Sequence, residues 1–181
     1  MKKGAKIFII QMIFIAASYT IITVLENKFF GGKIDSGITK GIIQLRLADA
    51  LTVLPVFTPA AIPGLTIGCV LANISSLSSL GPYDMIFGSI ASLLAALAMY
   101  ALRNVKLMKL PIAAALMPAL MNGIFVGFEI DFFFVNSLSF NFIDFLVQGG
   151  LVALGEVAVL FVLGLPFYWI INKRNISKNI K

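Results

Sequence analysis

The chain has 181 residues, 60% of them hydrophobic and only 12% charged, with a formal net charge of +6 and a mean hydropathy of +1.00. A soluble domain carries roughly twice that charged fraction, about 25%, so the composition reads as one domain that lies mostly in lipid. Lys and Arg gather at segment ends and build no soluble basic face for nucleic acid, and with no His and the one Cys69 there is no zinc or haem ligand set, no Cys/His nucleophile and no disulfide within the chain.

Lys2, Lys3 and Lys6 precede an apolar run from Ile7 to Leu25. Lysines, an apolar core and Ala16-Ala17-Ser18 also fit a cleavable signal peptide. The run continues past those small residues to Glu26, long enough to cross a membrane, and is read as a first helix over 7–25. Residues 26–40 form a polar, Gly-rich loop bearing Phe29 and Phe30. A second helix is expected over 41–58, ended by Pro55 and Pro59, and a third over 63–80, broken by Gly81-Pro82. The fourth spans 83–102 and is followed by Arg103, Lys106 and Lys109; the fifth spans 111–130. The aromatic stretch DFFFVNSLSFNFID is expected to lie in the membrane interface. A sixth helix over 144–171 precedes Lys173, Arg174, Lys178 and Lys181. The fold class is an all-α integral membrane protein, a six-helix bundle that crosses the cell membrane several times.

With the N-terminus in the cytoplasm, six spans put the N-terminal lysines, the Arg103–Lys109 loop and the C-terminal basic cluster all inside. The outer loops are mixed, with Glu26, Lys28, Lys33, Asp35 and Lys40 in the first and Asp131 later. Small residues recur every four positions: Gly64, Gly68 and Ala72; Gly88, Ser92 and Ala96; Ala115, Ala119, Gly123 and Gly127. Such stripes let backbones approach closely in lipid and are read as internal packing faces.

The polar residues fall in a pattern. The stretch QLRLADALTVLPVFTPAAIPGLTIGCVLAN, Gln44 to Asn73, is almost wholly apolar yet carries Arg46 and Asp49 one turn apart. A charge at membrane depth costs roughly 2.5–3.5 kcal/mol, so the pair either snorkels to the interface or belongs to a polar site inside the bundle. Asn73, Asp84, Asn122, Glu129 and Glu156 join them in the outer half, and the inner half has almost none. Asp84 is read equally as a helix N-cap. A conducting pore needs polar lining along its length; this pattern describes an outward-facing pocket closed below. Arg46 against Asp49, Asp84, Glu129 and Glu156 leaves an excess of carboxylates, which suits a ligand with a positive group or several donors. Phe29, Phe30, Tyr83 and Phe132–Phe134 offer stacking partners for a planar ring.

RLADALTVLPVFTPAAIPGLTIGCVLANI, DMIFGSIASLLAALAMY, MPALMNGIFVGFEI and ALGEVAVLFVLGLP resemble the QueT family, substrate-binding S components of energy-coupling factor (ECF) vitamin transporters. The resemblance covers nearly the whole chain from the second helix onward. It implies six helices, an outward pocket, uptake of a queuosine precursor (a 7-deazaguanine such as the aminomethyl form), and no ATPase or cofactor of its own. The implied partners are a transmembrane coupling protein and two cytoplasmic ATPases. S components often dock on the coupling protein through Ala-xxx-Ala on the first helix; here Ala16 is followed by Thr20 and Ala17 by Ile21.

Two other classes stand beside that one. A stand-alone proton-coupled carrier of a small cationic or aromatic metabolite would use Glu129 or Glu156 as its proton site, although many carriers show internal repeats and this chain shows none. A membrane enzyme or a purely structural subunit lacks support from any acid/base pair, metal site or nucleophile signature.

Overall fold

The computed structural model describes residues 3–29, 45–74, 77, 82–107 and 110–173. Within them every regular element is helical, apart from one backbone bridge between Leu107 and Leu110. In chain order the helices are α1 (Lys3–Phe29), α2 (Leu47–Val56), α3 (Ala61–Ile74), α4 (Tyr83–Ala101), α5 (Ile112–Val135) and α6 (Phe142–Lys173). By length and composition α1, α4, α5 and α6 can cross a membrane, whereas α2 and α3 are shorter apolar helices of 10 and 14 residues. The expected starts and ends at 41–44, 75, 76 and 78–81 lie outside the described residues, as do Phe30, Lys33, Asp35, Lys40, Lys109 and the basic tail from Arg174.

Local chemistry explains where these helices start and bend. Pro82 precedes the first turn of α4. Pro118 sits at the start of the Met117–Glu129 segment of α5, after a break at Leu116, where a missing N–H costs nothing. Asn141 caps α6, its Oδ1 accepting from the N–H groups of Ile143 (2.9 Å) and Asp144 (3.4 Å). Within α6 the turn Leu160–Gly164 widens to a π-helix just before Pro166, whose ring would crowd a regular α-turn. A second π-turn, Ile130–Val135, closes α5. The aromatic run 132–134 is therefore helical, a continuation of α5, and the loop to α6 begins only after Val135.

The second helix is not the expected α-helix: Leu47–Val56 is a 3-10 helix, with Pro55 inside it. Thr52 Oγ1 donates to the carbonyl of Asp49 at 2.6 Å, a three-residue contact matching that tighter winding. Ten residues so wound reach about 20 Å, against about 15 Å in an α-helix, so a short segment covers more depth. Ala48 and Val53 are fully buried, and α2 packs against all five other helices. It is the hub of the bundle.

Contacts fix the helix directions. Glu26, near the end of α1, bonds Leu47 at the start of α2, while Gln11 near the other end accepts from Thr58 Oγ1 at 2.8 Å, so α1 and α2 are antiparallel. α3 runs alongside α1, with Gly64 against Met12 and Ile15 and Gly68 against Ala16 and Tyr19. Asn73 meets Asp84 across α3 and α4; Phe87 meets Phe128 across α4 and α5; Asn122 meets Glu156 across α5 and α6. Each of these neighbours is antiparallel to the last. The outside is apolar, with Phe14 72%, Ile143 71% and Val162 68% exposed, as lipid contact requires.

The small-residue stripes are internal packing faces. A Cβ on Gly64 or Gly68 would sit 3.0 Å from backbone carbonyls of α1. The Ala16/Thr20 pair is consumed in the same contact: Ala16 is buried and Thr20 Oγ1 donates to the Gly68 carbonyl at 3.2 Å. That pair is not a surface for another protein; the exposed side of α1 carries Ile10, Phe14, Ala17 and Ile21. The closest approach is between α5 and α6. A Cβ on Gly149 would collide with the Gly123 carbonyl oxygen, and one on Gly127 would lie 2.5 Å from Gly149 Cα.

Adjacent glycines therefore give opposite expectations. Gly149→Ala forces the helices apart and lowers unfolding stability in detergent by about 1–3 kcal/mol. Gly150, with open space around its Cβ position, accepts Ala with no loss or a gain of up to about 1 kcal/mol from helix propensity. Thermal unfolding of the two variants side by side checks this, and equal effects would contradict the close α5–α6 contact.

Candidate functional site

The site is built outward from Asp49, which the hub helix α2 carries in its first turn and which is 3% exposed. Its Oδ1 accepts from Tyr19 Oη at 2.8 Å, and its Oδ2 pairs with Arg46 Nε at 3.8 Å. Arg46 Nη2 in turn donates to Tyr19 Oη at 3.2 Å. Asp49 is thus buried and Arg46 half-buried, and both are tied to α1 through Tyr19. Arg46 precedes α2 but provides no side-chain cap. Glu26 does so from α1, Oε1 accepting from Leu47 N–H at 2.6 Å and Oε2 from Ala48 N–H at 3.3 Å. A carboxylate against the open N–H groups of a helix start satisfies donors that nothing else on α2 reaches.

Two further groups face this centre. On the α3–α4 side, Asn73 Nδ2 donates to the Asp84 carbonyl at 3.0 Å and touches Cys69 Sγ at 3.7 Å. Asp84 is half-buried in the first turn of α4; the N-cap position belongs to Pro82, so Asp84 is not the cap. On the α5–α6 side, buried Asn122 donates through Nδ2 to Glu156 Oε1, and the Glu156 carboxyl faces that of Asp49. Glu129 is 2% exposed in the last α-turn of α5. Arg46 lies within electrostatic reach of Asp49, Asp84, Glu129 and Glu156 alike. Asp49 pairs with Arg46 directly, Asp84, Glu129 and Glu156 lie within its electrostatic reach, and Asn73 and Asn122 bond Asp84 and Glu156 in turn, so five different helices contribute polar groups to this end.

Three buried polar atoms there have no hydrogen-bond partner among the described residues: Ser89 Oγ, Glu129 Oε2 and Glu156 Oε2. An unsatisfied buried acceptor costs about 1–3 kcal/mol, and a polar ligand relieves that cost. The aromatic residues behave differently from expectation. Tyr83 stacks on Phe133 with ring centroids 3.9 Å apart, Phe132 packs on Phe133 and Phe128, and Phe29 is 78% exposed. Tyr83, Phe128, Phe132 and Phe133 thus pack on one another.

Sequence reasoning missed Tyr19, Ser89, Glu26 and Asp131. Tyr19 is the one polar ring in the apolar run of α1, and its stripe with Ile15, Thr23 and Glu26 is the buried face of that helix; that spacing was the available signal. Asp131 is no loop charge: it is fully buried, Oδ1 accepting from Asn136 Nδ2 at 2.5 Å and Oδ2 from Asn141 N–H at 3.1 Å. Asn136 Nδ2 also reaches Asp144 Oδ2 at 3.1 Å, so this cluster pins the α5–α6 connection. Among the described residues no group of three or more Asp, Glu or Cys is arranged to hold a metal ion.

The QueT transporter family matches residues 9–173, nearly the full chain. Neither the curated proteins nor the solved structures give a match.

Tyr19→Phe keeps the ring and removes only the hydroxyl that joins Asp49 to Arg46. A hydrogen bond to a charged group contributes about 1.5–3 kcal/mol, and unfolding stability in detergent falls by that much. Thermal unfolding of the purified variant measures it; a stability equal to that of the unaltered chain would show that Tyr19 does not hold Asp49.

Proposed function

The chain belongs to the QueT transporter family, and we propose that it is the substrate-binding (S) subunit of an ECF-type importer that captures a queuosine precursor, a 7-deazaguanine such as the aminomethyl form. One observation carries this reading: Asp49 pairs with Arg46, three more carboxyls lie within electrostatic reach of that one guanidinium, and buried oxygens of Glu129 and Glu156 have no donor among the described residues. A cationic base rich in N–H donors complements such a site in both charge and hydrogen bonding.

The reading assigns six membrane passes with both termini cytoplasmic and the acidic pocket facing outward. Its support is the separation of charge along the bundle. Asp84, Glu129, Asp131 and Asp144 share one end, and Lys3, Lys6, Arg103, Lys106 and Lys173 share the other, where the positive-inside rule puts the cytoplasm. On this reading the energy comes from a coupling protein and two ATPases, the partners that the family resemblance implies.

Roles follow from which oxygens are already engaged. Both oxygens of Asp49 are held, by Tyr19 and Arg46, so Asp49 orders the site. Glu156 has one oxygen fixed by Asn122, and its other oxygen, on the carboxyl that faces Asp49, has no donor among the described residues. A guanine edge offers two adjacent N–H donors, and a carboxylate accepts such a pair in the bidentate geometry of the strongest hydrogen bonds. Glu129, with its open Oε2, is the counter-charge for the ligand's ammonium. Arg46 keeps the cluster of carboxyls from repelling itself apart before ligand arrives.

Glu156→Gln replaces one acceptor with a donor that faces the ligand's own donors. Affinity for the aminomethyl deazaguanine falls at least about tenfold, whereas Lys28→Ala, at an exposed position, leaves it unchanged. Calorimetry on folded variants reads this, and unaltered affinity in Glu156→Gln would remove Glu156 from the binding site.

The unpartnered carboxyls also favour one rival, a carrier that moves protons through Glu129 or Glu156. Liposomes separate the two. The isolated chain is expected to bind ligand without accumulating it, and concentrative uptake driven by a proton gradient alone would establish the carrier.

A further inference from the structure

The basic end of the bundle holds two cavities that share the ring of Phe57 as a common wall. The larger, 640 Å³, lies where α2, α4 and α6 end, lined by Phe57, Tyr100, Arg103, Lys106, Tyr168 and Asn172 among others. The smaller, 190 Å³, is an apolar crevice between α1, α2 and α6, walled by Phe14, Ile15, Leu51, Leu54, Phe57 and Phe167. None of the acidic-site residues lines either one. Phe57 and Tyr168 stack at 5.0 Å, so the boundary between the two is a rigid aromatic edge.

Charge at this end is one-sided. The stretches 1–25, 50–83, 85–128 and 157–181 contain no Asp or Glu at all. Arg103 holds its guanidinium 3.8 Å over the Tyr100 ring and donates one bond, to the Tyr100 carbonyl at 2.6 Å. A guanidinium has five N–H donors, and the ring beneath it holds the group in place with most of them uncommitted among the described residues. Lys106 stands exposed beside it. Two cations at the mouth of a polar cleft, with no carboxylate near in sequence and none among the described residues that line it, call for an anion from outside the chain. The adjoining apolar crevice opens among helix faces that meet hydrocarbon.

We propose that the two cavities together hold one anionic phospholipid, its headgroup phosphate against Arg103 and Lys106 and an acyl chain in the Leu51–Leu54–Phe167 crevice. Arginine suits a phosphate because its planar fork donates to two oxygens at once, and lysine adds a second point charge. Basic pockets between membrane helices bind anionic headgroups by this chemistry, each Lys or Arg contributing about fivefold in affinity. The crevice distinguishes a lipid from a free phosphate, since inorganic phosphate has nothing to place there. The site lies at the opposite end of α2 from Asp49, so the hub helix has a polar ligand position at each end.

The experiment offers the purified chain equal amounts of phosphatidylglycerol and phosphatidylcholine in detergent and counts retained lipid by native mass spectrometry. The unaltered chain retains one phosphatidylglycerol in preference to phosphatidylcholine. Lys106→Gln lowers retention about fivefold, and the double variant Arg103→Gln, Lys106→Gln about thirtyfold. Leu54→Trp, which fills the crevice, lowers it with the cations intact, and its unfolding temperature is measured to confirm folding. Lys6→Gln, at the same end but lining neither cavity, retains lipid normally. Equal retention of both lipids, or undiminished retention in the double variant, overturns the proposal. Displacement of phosphatidylglycerol by millimolar inorganic phosphate also overturns it, in favour of a simple anion site.

Discussion

The Asp49 carboxylate is the constraint on which the rest of this bundle depends. A buried ion pair gains little unless further hydrogen bonds satisfy the remaining oxygens and protons, and here Tyr19 supplies that bond from a different helix at 2.8 Å. Helix α1 cannot rotate or slide without breaking it. Glu26 on the same face of α1 closes the open N–H groups of α2, so two polar ties about two turns apart on α1 fix its register on the hub. The apolar surface of α1 contributes little to that register, because lipid satisfies apolar side chains as well as protein does.

With α2 placed, its 3-10 winding sets where everything else can be. All the other helices pack on it, and it is thin: Ala48, Val53 and Ala50 present little bulk, and the Ala50 carbonyl lies 3.7 Å from the Cβ position of Gly164 on α6. The glycine contact between α5 and α6 performs the same service on the other side of the bundle. Small residues bring backbones together, and Asn122 on α5 can then reach Glu156 on α6. The polar site is in this sense a product of the close packing, and the two cannot be varied independently.

Much of this arrangement was legible in the chain. Apolar runs and their breakers marked six helical segments, four-residue spacing of Gly, Ala and Ser marked the faces that meet, and polar residues stranded in apolar runs marked the groups that five helices contribute to the end holding Arg46. The spacing of Arg46 and Asp49 announced their contact, but not its depth, which depends on Tyr19 approaching from α1. Three things resisted reading. Pro55 signalled the end of an α-helix, whereas the chain takes it within a 3-10 helix. Phe132–Phe134 read as a loop because Asp131 looked like a surface charge; it is buried because Asn136 and the Asn141 N–H satisfy it. Gly149 belonged to no stripe, since its partners Gly123 and Gly127 lie on another helix and only the fold brings them together.

Charge distribution joins these strands. Every described carboxylate belongs to the half of the bundle that holds the site, and the opposite end holds none among the described residues. The two halves then solve different problems. At one end carboxyls outnumber the single guanidinium among them, and buried oxygens of Glu129 and Glu156 have no donor among the described residues. At the other, cations stand without carboxylates and are balanced by what surrounds the protein. Helix α2, with Pro55 inside it, spans the interval between them, Asp49 near one end and Phe57, which borders the basic cleft, just past the other.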